Sequence, residues 1–371
     1  PYEQEVKVEK GVSVGKAQKR SDYAFYISPE FRQPKFFCEA KKPCRSLKNA
    51  DDYFQTIRYG WNANTPVAVL TDFQEFHILD CRFKPGIDFV LQNQNHKSYS
   101  YSDYLDLEKF KEIYYLFSRD AVEGGSLQKY SDSLPKPKGK DAKRGLFKGI
   151  SKPIDEDFLE YIDEVRSTLA KAFKRNDSAL TSEQLTEVTQ KTVDRLVFIR
   201  FLEDKLIEPD YYISELGKKS NPWKEFISIC RKLDAKYNGI VFKETTIDKQ
   251  NFHGPDEAEF LRICDGISHF NSPYDFHYIP IHILGSIYER FLGKIVTLKG
   301  RGVSVEEKPE VRKAGGVYYT PKYIVDYIVK NTVGKLIENK TPEEISKLRF
   351  ADIACGSGSF LIGVYEHLLE Y

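Results

Sequence analysis

FFCEAKK, residues 36–42, is the stretch that decides the fold of the first part of this chain. It opens with three apolar residues, as a buried strand does, and then carries charges at positions 39, 41 and 42. Side chains two residues apart in a strand lie on the same face of the sheet. The pattern therefore predicts that Glu39 and Lys41 share one face of a strand, while Cys38 and Ala40 point to the opposite face.

The segments around this strand predict a mixed α/β domain. RSDYAFYIS (20–28) alternates in polarity and predicts a strand that a turn joins to residues 36–42. Residues 50–64 predict a helix, because their apolar positions recur at helical spacing. The apolar run at 66–72 predicts a buried strand, and residues 74–80 predict its hairpin partner.

The composition is that of a globular chain with more than one domain. Its 371 residues suffice for two or three cores. With 56 basic and 55 acidic residues, the net charge of +1 supplies no overall basic field, so any nucleic-acid binding must use local patches. No apolar run reaches the length of a membrane span. The six cysteines form no CxxC pair, which favours a reducing cytoplasm and argues against structural zinc.

Changes in composition along the chain predict four segments. These are an α/β domain at 1–130, a Lys/Pro/Gly-rich linker at 131–152, a mainly α-helical connector at 153–310, and the beginning of a second α/β domain at 311–371.

Two features of the connector bear on its role. Thr181 and Gln184 have the spacing of a helix start. Arg195, Arg200 and Lys205 either contact DNA or lie on a solvated helix face, and the pattern favours solvent. The lysines of the linker are open to the same two interpretations, with solvent again favoured.

Asp22 is predicted to bring its carboxylate beside Glu39 across the hairpin. Two converging carboxylates repel each other unless a cation lies between them, and oxygen ligands of this kind suit Mg²⁺. Lys41 would then orient the attacking water or neutralise charge on phosphorus. On the predicted helix, Gln55 and Tyr59 share one face and can hydrogen-bond a phosphate. A surface hairpin with solvated charges is the alternative interpretation.

In this order, the residues resemble the PD-(D/E)xK nuclease module, in the variety with a trailing Gln-xxx-Tyr helix that occurs in type I and type IIG restriction enzymes. The resemblance implies Mg²⁺-dependent hydrolysis of double-stranded DNA, with Asp22 and Glu39 as metal ligands. It assigns the catalytic set to Asp22, Glu39, Lys41, Gln55 and Tyr59. A serine precedes Asp22 where the family name implies proline.

FADIACGSGSFLIGVYEHLLEY (350–371) predicts a strand, a glycine turn and a helix. Gly356 and Gly358 permit positive φ and close backbone approach to a ligand, and the helix presents its N-terminal amides. A glycine turn alone is a weak signal for a cofactor. A second motif, GGVYYTPKYIVDYIV at 315–329, opens another predicted helix upstream.

Together the two motifs resemble the cofactor region of DNA adenine-N6 methyltransferases of the gamma class. The resemblance implies a Rossmann-like domain that binds S-adenosyl-L-methionine. It assigns the cofactor contacts to Tyr319, Thr320, Pro321, Asp352, Ala354, Cys355, Gly356, Gly358, Ser359 and Phe360. The family's Asn-Pro-Pro-Tyr motif is absent here, and Asn-Ser-Pro-Tyr at 271–274 is rejected because it precedes the cofactor motifs and lacks the double proline. We expect the catalytic motif and the DNA-recognition domain to lie outside this sequence.

The resemblances predict the N-terminal portion of a type IIG restriction–modification enzyme, acting on DNA in the prokaryotic cytosol without a membrane partner. Two alternatives stay open: a modification methyltransferase with an inactive nuclease-like domain, and a non-catalytic DNA-binding scaffold. No GxxxxGK[ST] loop occurs, which argues against an ATP-driven subunit. One nuclease site per chain predicts transient self-association on DNA, or a second visit, for a double-strand break.

Overall fold

The computed structural model of the chain describes residues 5–8, 21–28, 31, 33–43, 45–88, 90–92, 97–134, 154–208, 211–269, 271–279, 285, 293–299, 302–308 and 320–371. Most of the predicted linker, and Tyr319 of the upstream motif, lie outside these residues.

The chain forms two compact units. The first comprises Pro1–Glu160, Leu196–Lys219 and Leu261–Ile279, and the second comprises Tyr161–Arg195, Ser220–Phe260 and Pro280–Tyr371. Segments of the predicted connector therefore contribute to both units. The domain boundaries at 130, 152 and 310 stay a prediction.

A six-stranded mixed sheet is the centre of the first unit. In space its strands follow the chain order, β1 (Val6–Val8), β2 (Tyr23–Phe25), β3 (Phe36–Ala40), β4 (Val67–Thr71), β5 (Glu75–Asp80) and β6 (Lys97–Ser100). β3 and β4 are parallel, and every other neighbouring pair is antiparallel. Parallel neighbours need a crossover connection, and helix α1 (Ala50–Asn62) supplies it. The strands predicted within 20–28, 36–42, 66–72 and 74–80 are confirmed.

Helix α1 begins where the sequence supplies a cap. The Asn49 side chain accepts hydrogen bonds from the backbone N–H groups of Asp51 (2.9 Å) and Asp52 (3.4 Å). These donors have no carbonyl partner within the helix, so the cap satisfies them. Both aspartates also place negative charge in the first turn, where the helix dipole favours it. The helix predicted over 50–64 is confirmed, and it ends two residues earlier than expected.

Apolar side chains cover both faces of the sheet, which gives the first unit three layers. On one face Phe37 belongs to a buried cluster with Ile57 of α1. On the other face Phe36 belongs to a cluster with Leu116 of helix α2 (Leu107–Phe117). Because side chains alternate along a strand, Glu39 lies on the face of Phe37, which α1 covers.

Helices make up most of the rest of the described chain. They are α3 (Arg119–Glu123), α4 (Ser126–Ser133), α5 (Ile154–Asn176), α6 (Ser182–Asp204), α7 (Tyr212–Glu215), α8 (Pro222–Tyr237) and α9 (Pro255–Ile267), followed by an antiparallel hairpin of β7 (Lys294–Lys299) and β8 (Gly302–Glu307). The predicted start of α6 is confirmed, because Thr181 N donates to Gln184 Oε1 (3.0 Å) and Thr181 Oγ1 accepts from Gln184 N (3.3 Å).

Arg195 and Arg200 do not lie on a solvated or DNA-contacting face, so both interpretations are wrong for these two residues, whereas Lys205 is half-buried. Arg195 and Arg200 are fully buried, and their guanidinium groups donate to backbone carbonyl oxygens of other segments. Lys205 Nζ donates to the carbonyl oxygen of His277 (2.8 Å). Backbone carbonyl groups buried outside regular structure need donors, and the guanidinium group offers five.

The last part of the chain is helical around one small core. Helix α10 (Lys322–Val329) continues through a π-helical turn (Lys330–Gly334) into α11 (Lys335–Ile337), and α12 (Pro342–Ile345) and α13 (Ser359–Glu370) follow. Val325 and Val329 pack in a cluster with Phe360 and Val364. The strand predicted before the glycine turn is wrong, because those residues pair with no strand in the described part of the chain. No helix among the described residues has the length and apolar character needed to cross a bilayer.

Candidate active site

Asp22 and Glu39 meet at one end of the sheet because β2 and β3 pair with Tyr23 opposite Cys38. Asp22 directly precedes β2, which brings it level with Glu39. The backbone N–H of Asp22 donates to Glu39 Oε2 (3.3 Å), and the N–H of Ala40 donates to Asp22 Oδ2 (2.8 Å). Each carboxyl group is therefore held by the backbone of the opposite strand. The proximity predicted from the hairpin is confirmed.

Lys41 lies on the same face as Glu39, as the two-residue spacing predicts. Its Nζ donates to Glu39 Oε1 at 2.6 Å. Both side chains are buried, with exposed fractions of 8% for Lys41 and 4% for Glu39. A solvated surface hairpin, the alternative interpretation, is excluded by this burial.

The negative charges of Glu39 and Asp22 lie close together, and a further cation would relieve their repulsion. Burial raises the pKa of Glu39 above its usual 4.5; the Lys41 ammonium acts against this shift, while the charge of Asp22 adds to it. Burial, with the charges of Glu39 and Asp22, also raises the pKa of Cys38 to about 12, so this thiol is no nucleophile at neutral pH. Two oxygen-bearing carboxyl groups with an unfavourable mutual charge fit a hard divalent cation.

Asp22 and Glu39 are two carboxylates, and the described residues contain no group of three or more His, Cys, Asp or Glu side chains arranged to hold a metal ion. A cation at this point would take its other ligands from backbone oxygens, water or a substrate phosphate. This requirement is ordinary for Mg²⁺, which keeps several waters and is held by one or two carboxylates.

Gln55 and Tyr59 share one face of α1, as their four-residue spacing predicts. Gln55 Nε2 donates to the Tyr59 hydroxyl at 2.6 Å. Burial raises the pKa of Tyr59 well above 10, and the charge of Glu39 raises it further. The tyrosine therefore stays a neutral phenol within the electrostatic reach of Glu39, and the helix brings the pair beside the carboxyl groups.

Two contacts of this site were missed by sequence reasoning. Asp52, in the first turn of α1, lies 3.4 Å from Lys41 Nζ. The ring of Tyr278 packs against Phe37 (4.9 Å between centroids) and Tyr59 (5.5 Å). Both contacts depend on tertiary packing between segments far apart in sequence, and no motif in the sequence signals them.

The segment that carries Tyr278 is fixed to α1 by hydrogen bonds. Arg58 Nη1 and Nη2 donate to the carbonyl oxygens of His269 (3.1 Å) and Tyr274 (3.0 Å). Asn62 Nδ2 donates to the Pro273 carbonyl (2.8 Å). The Asn-Ser-Pro-Tyr sequence at 271–274 thus supports the helix that carries Gln55 and Tyr59, in keeping with its rejection as a catalytic motif.

The predicted cofactor residues of the last segment form a second candidate site. Gly356 and Gly358 have φ values of 54° and 82°, in the left-handed region that favours glycine, as the sequence predicts. Gly358 caps α13, and a Cβ added there would meet no atom within 4 Å. The open space and the free amides of the helix start fit a ligand that approaches the backbone closely.

The other residues of this prediction that the structure describes lie around the same turn or at the start of α10, and Tyr319 lies outside the described residues. Asp352 Oδ1 accepts from Ala354 N (3.1 Å), and the Cys355 carbonyl accepts from Gly358 N (2.7 Å). Ser359 and Phe360 are the first residues of α13. Thr320 and Pro321 immediately precede α10, so they open a helix as predicted.

Comparisons with known proteins show the family to which the chain belongs. Residues 280–371 match the N-6 DNA Methylase family. The chain is 31% identical, over 99% of its length, to the type II restriction enzyme and methyltransferase RM.Eco57I of Escherichia coli, and the match covers 35% of that protein. It is 24% identical, over 78% of its length, to RM.MjaORFECS2P of Methanocaldococcus jannaschii, which carries the same description provisionally and is covered over 30%. The chain thus spans about a third of the length of these relatives. No solved structure gives a significant match.

Proposed function

The chain is a relative of the type IIG restriction–modification enzymes, and we propose that its first unit is a PD-(D/E)xK endonuclease and its last segment the beginning of an adenine-N6 DNA methyltransferase. In this proposal the nuclease hydrolyses double-stranded DNA with Mg²⁺, and the methyltransferase uses S-adenosyl-L-methionine. The domain order is a nuclease, a helical connector and a Rossmann-like methyltransferase.

One observation carries the nuclease proposal. At the end of two paired strands, Glu39 accepts hydrogen bonds from the backbone N–H of Asp22 and from Lys41 Nζ, and a helix returning from β3 to β4 brings Gln55 and Tyr59 alongside. An inactive nuclease-like domain would have no need to keep a lysine buried against a glutamate, since a buried ion pair contributes little net stability. The intact set therefore favours an endonuclease over the two alternatives.

The chemistry divides among these side chains by their charge and position. Asp22 and Glu39 would hold Mg²⁺, which activates water and stabilises charge on phosphate oxygens when it is bound. Lys41 would offer its remaining N–H donors to a non-bridging phosphate oxygen, where negative charge grows during hydrolysis. Gln55 and Tyr59 would orient the phosphate or an ordered water by hydrogen bonds. Tyr59 donates, because its raised pKa keeps it protonated.

Binding of Mg²⁺ is expected to stabilise the wild-type protein against heat. A ligand at 100 times its Kd adds about 2.7 kcal/mol to the unfolding free energy. We expect this shift to disappear in the Asp22→Asn, Glu39→Gln double variant and to persist in Glu108→Gln, which changes an exposed carboxylate of α2. Because the pKa of Glu39 is raised, protons should displace the metal at a higher pH than for an ordinary glutamate. If Mg²⁺ stabilised the double variant as much as wild type, the metal would bind somewhere other than Asp22 and Glu39.

The methyltransferase proposal is supported by the family match and by the glycine turn. The backbone at Gly358 leaves space for a ligand, and α13 presents its first amides there. S-adenosyl-L-methionine would supply the methyl group when it is bound. Asp352, Ala354, Cys355, Ser359 and Phe360, with Tyr319, Thr320 and Pro321, would line its site.

Affinity for S-adenosyl-L-methionine is expected to fall about tenfold or more in Gly358→Ala, equal to about 1.4 kcal/mol of binding free energy. The added methyl group would stand where the cofactor approaches the backbone. Gly125→Ala is a matched control, because Gly125 also caps a helix at φ 80° with open space around its Cβ position. Calorimetric titration of the natural full-length protein tests this expectation. Equal loss of affinity in both variants would contradict it.

The partner of both activities in this proposal is DNA. Each chain carries one nuclease site, so cutting both strands requires a second protomer or a second visit to the DNA. Action on incoming foreign DNA would take place in the prokaryotic cytosol.

A further inference from the structure

Asp52 is a buried carboxylate that the nuclease chemistry described above does not use. It lies in the first turn of α1 and is 1% exposed. Its Oδ1 is 3.4 Å from Lys41 Nζ, and its Oδ2 is 2.7 Å from Arg45 Nη2. Among the described residues, neither oxygen has a hydrogen-bond donor in good geometry. These two cations therefore balance its charge.

Lys41 is held from two sides. Its ammonium group donates to Glu39 Oε1 at 2.6 Å, while Asp52 approaches from the helix that covers this face. One N–H of the ammonium group is given to Glu39, and the charge of Asp52 attracts the group from α1 without a hydrogen bond in good geometry, so N–H donors are left for a substrate. Glu39 can anchor Lys41 only as long as no metal ion competes for its oxygens. Asp52 has no such competing role in the proposed site.

We propose that Asp52 is a positioning residue for the nuclease, which holds the ammonium group of Lys41 in place when Glu39 turns to a metal ion. This inference rests on the proposed nuclease function. It adds a residue outside the resemblance to the PD-(D/E)xK module. The carboxylate acts through Lys41 and touches neither substrate nor metal.

A variant at Arg45 distinguishes the positioning role of Asp52 from a purely structural one. Asp52 pairs with Arg45 as well as with Lys41, and this pair joins the loop after β3 to the start of α1. The Arg45 side chain is 46% exposed, so its removal should cost little stability. If Asp52 mattered only as an anchor for the loop, Arg45→Met would reproduce every effect of Asp52→Asn.

The test compares Asp52→Asn and Arg45→Met in the full chain by two readouts. In protein with Mg²⁺ added, where Glu39 is engaged by the metal, the ¹⁵N–¹H signal of the Lys41 ammonium group, assigned by its loss in Lys41→Arg, should be sharp in wild type and Arg45→Met and lost in Asp52→Asn. The single-turnover cleavage rate with Mg²⁺ should fall about 10- to 100-fold in Asp52→Asn, with unchanged Kd for DNA, since small misplacements of a catalytic group cost this much. Asp52→Glu, which keeps the charge but moves it by one methylene, serves if the Asn variant does not fold, and should lose rate in the same way.

Each result of this test either supports or overturns the positioning role of Asp52. A Lys41 signal that survives in Asp52→Asn would overturn the proposal, and so would equal losses in Arg45→Met. If wild-type protein cleaves no DNA, the proposed nuclease function fails and the positioning role fails with it. The ammonium signal would still report whether Asp52 holds Lys41, so the two failures are distinguishable.

Discussion

Replacing Lys41 by alanine is expected to lower the rate of Mg²⁺-dependent DNA cleavage about 10²- to 10³-fold, the usual cost of removing one preorganised donor from a developing anion. Lys41 is the cation bonded to Glu39 within the proposed metal site, and its ammonium group is buried rather than solvated. Nothing else described within hydrogen-bond reach of Glu39 carries a positive charge. Single-turnover cleavage of plasmid DNA measures the effect.

The adjacent residue supplies the control for this variant. Lys42 is exposed and follows Lys41 directly, so Lys42→Ala removes the same charge from the same loop. We expect Lys42→Ala to keep the wild-type rate, with at most a small change in DNA affinity. Equal rates in Lys41→Ala and wild type would place the catalytic cation elsewhere. If both variants lost the same cleavage rate, Lys41 would act only by nonspecific attraction of DNA.

Replacing Arg200 by methionine is expected to destabilise the first unit by about 3–5 kcal/mol, because breaking a buried pair leaves a buried charge without its partner. Arg200 is fully buried and forms an ion pair with Asp204. Its guanidinium group also donates to the Ile267 carbonyl oxygen (2.8 Å). Burial lowers the pKa of Arg200 to about 10, so the group stays charged at neutral pH and its partners depend on it.

Urea unfolding compares Arg200→Met with Lys111→Met. Lys111 is paired with the exposed Glu108, and its loss should cost less than about 0.5 kcal/mol. The DNA affinity of the folded fraction should be the same in Arg200→Met and wild type, because the guanidinium group does not reach solvent. A stable Arg200→Met variant with weakened DNA binding would instead support the DNA-contacting role that the burial excludes.

Strand β3, which carries Glu39, was predictable because its signals are local. Alternation along residues 36–42 determines the faces of Glu39 and Lys41, and the register with β2 then brings Asp22 opposite Glu39. Helix α1 was predictable for the same reason, since its apolar spacing lies within the helix itself and its cap directly precedes it. The positive φ values before α13 were likewise predictable from the glycines, because few other residues adopt positive φ without strain.

Contacts between distant segments were not predictable. Arg58 binds the carbonyl oxygen of His269, 211 residues away, and no periodicity connects two such positions. Arg200 falls on a helix whose pattern alone does not distinguish a buried arginine from a solvated one, since the distinction depends on which carbonyl groups end beside it. The contact of Asp52 with Lys41 was not predicted, because capping and the helix dipole already explain an aspartate in the first turn of a helix.

The most direct test of the central claim is cleavage of supercoiled plasmid DNA by the natural full-length protein in Mg²⁺ and in EDTA, with the Asp22→Asn, Glu39→Gln double variant beside wild type. We predict nicked and linear products in Mg²⁺ with wild type alone, and equal DNA binding by both proteins. Cleavage by the double variant, or intact plasmid in every lane despite DNA binding, would contradict the assignment of a metal-dependent nuclease to the strand that carries Glu39 and Lys41.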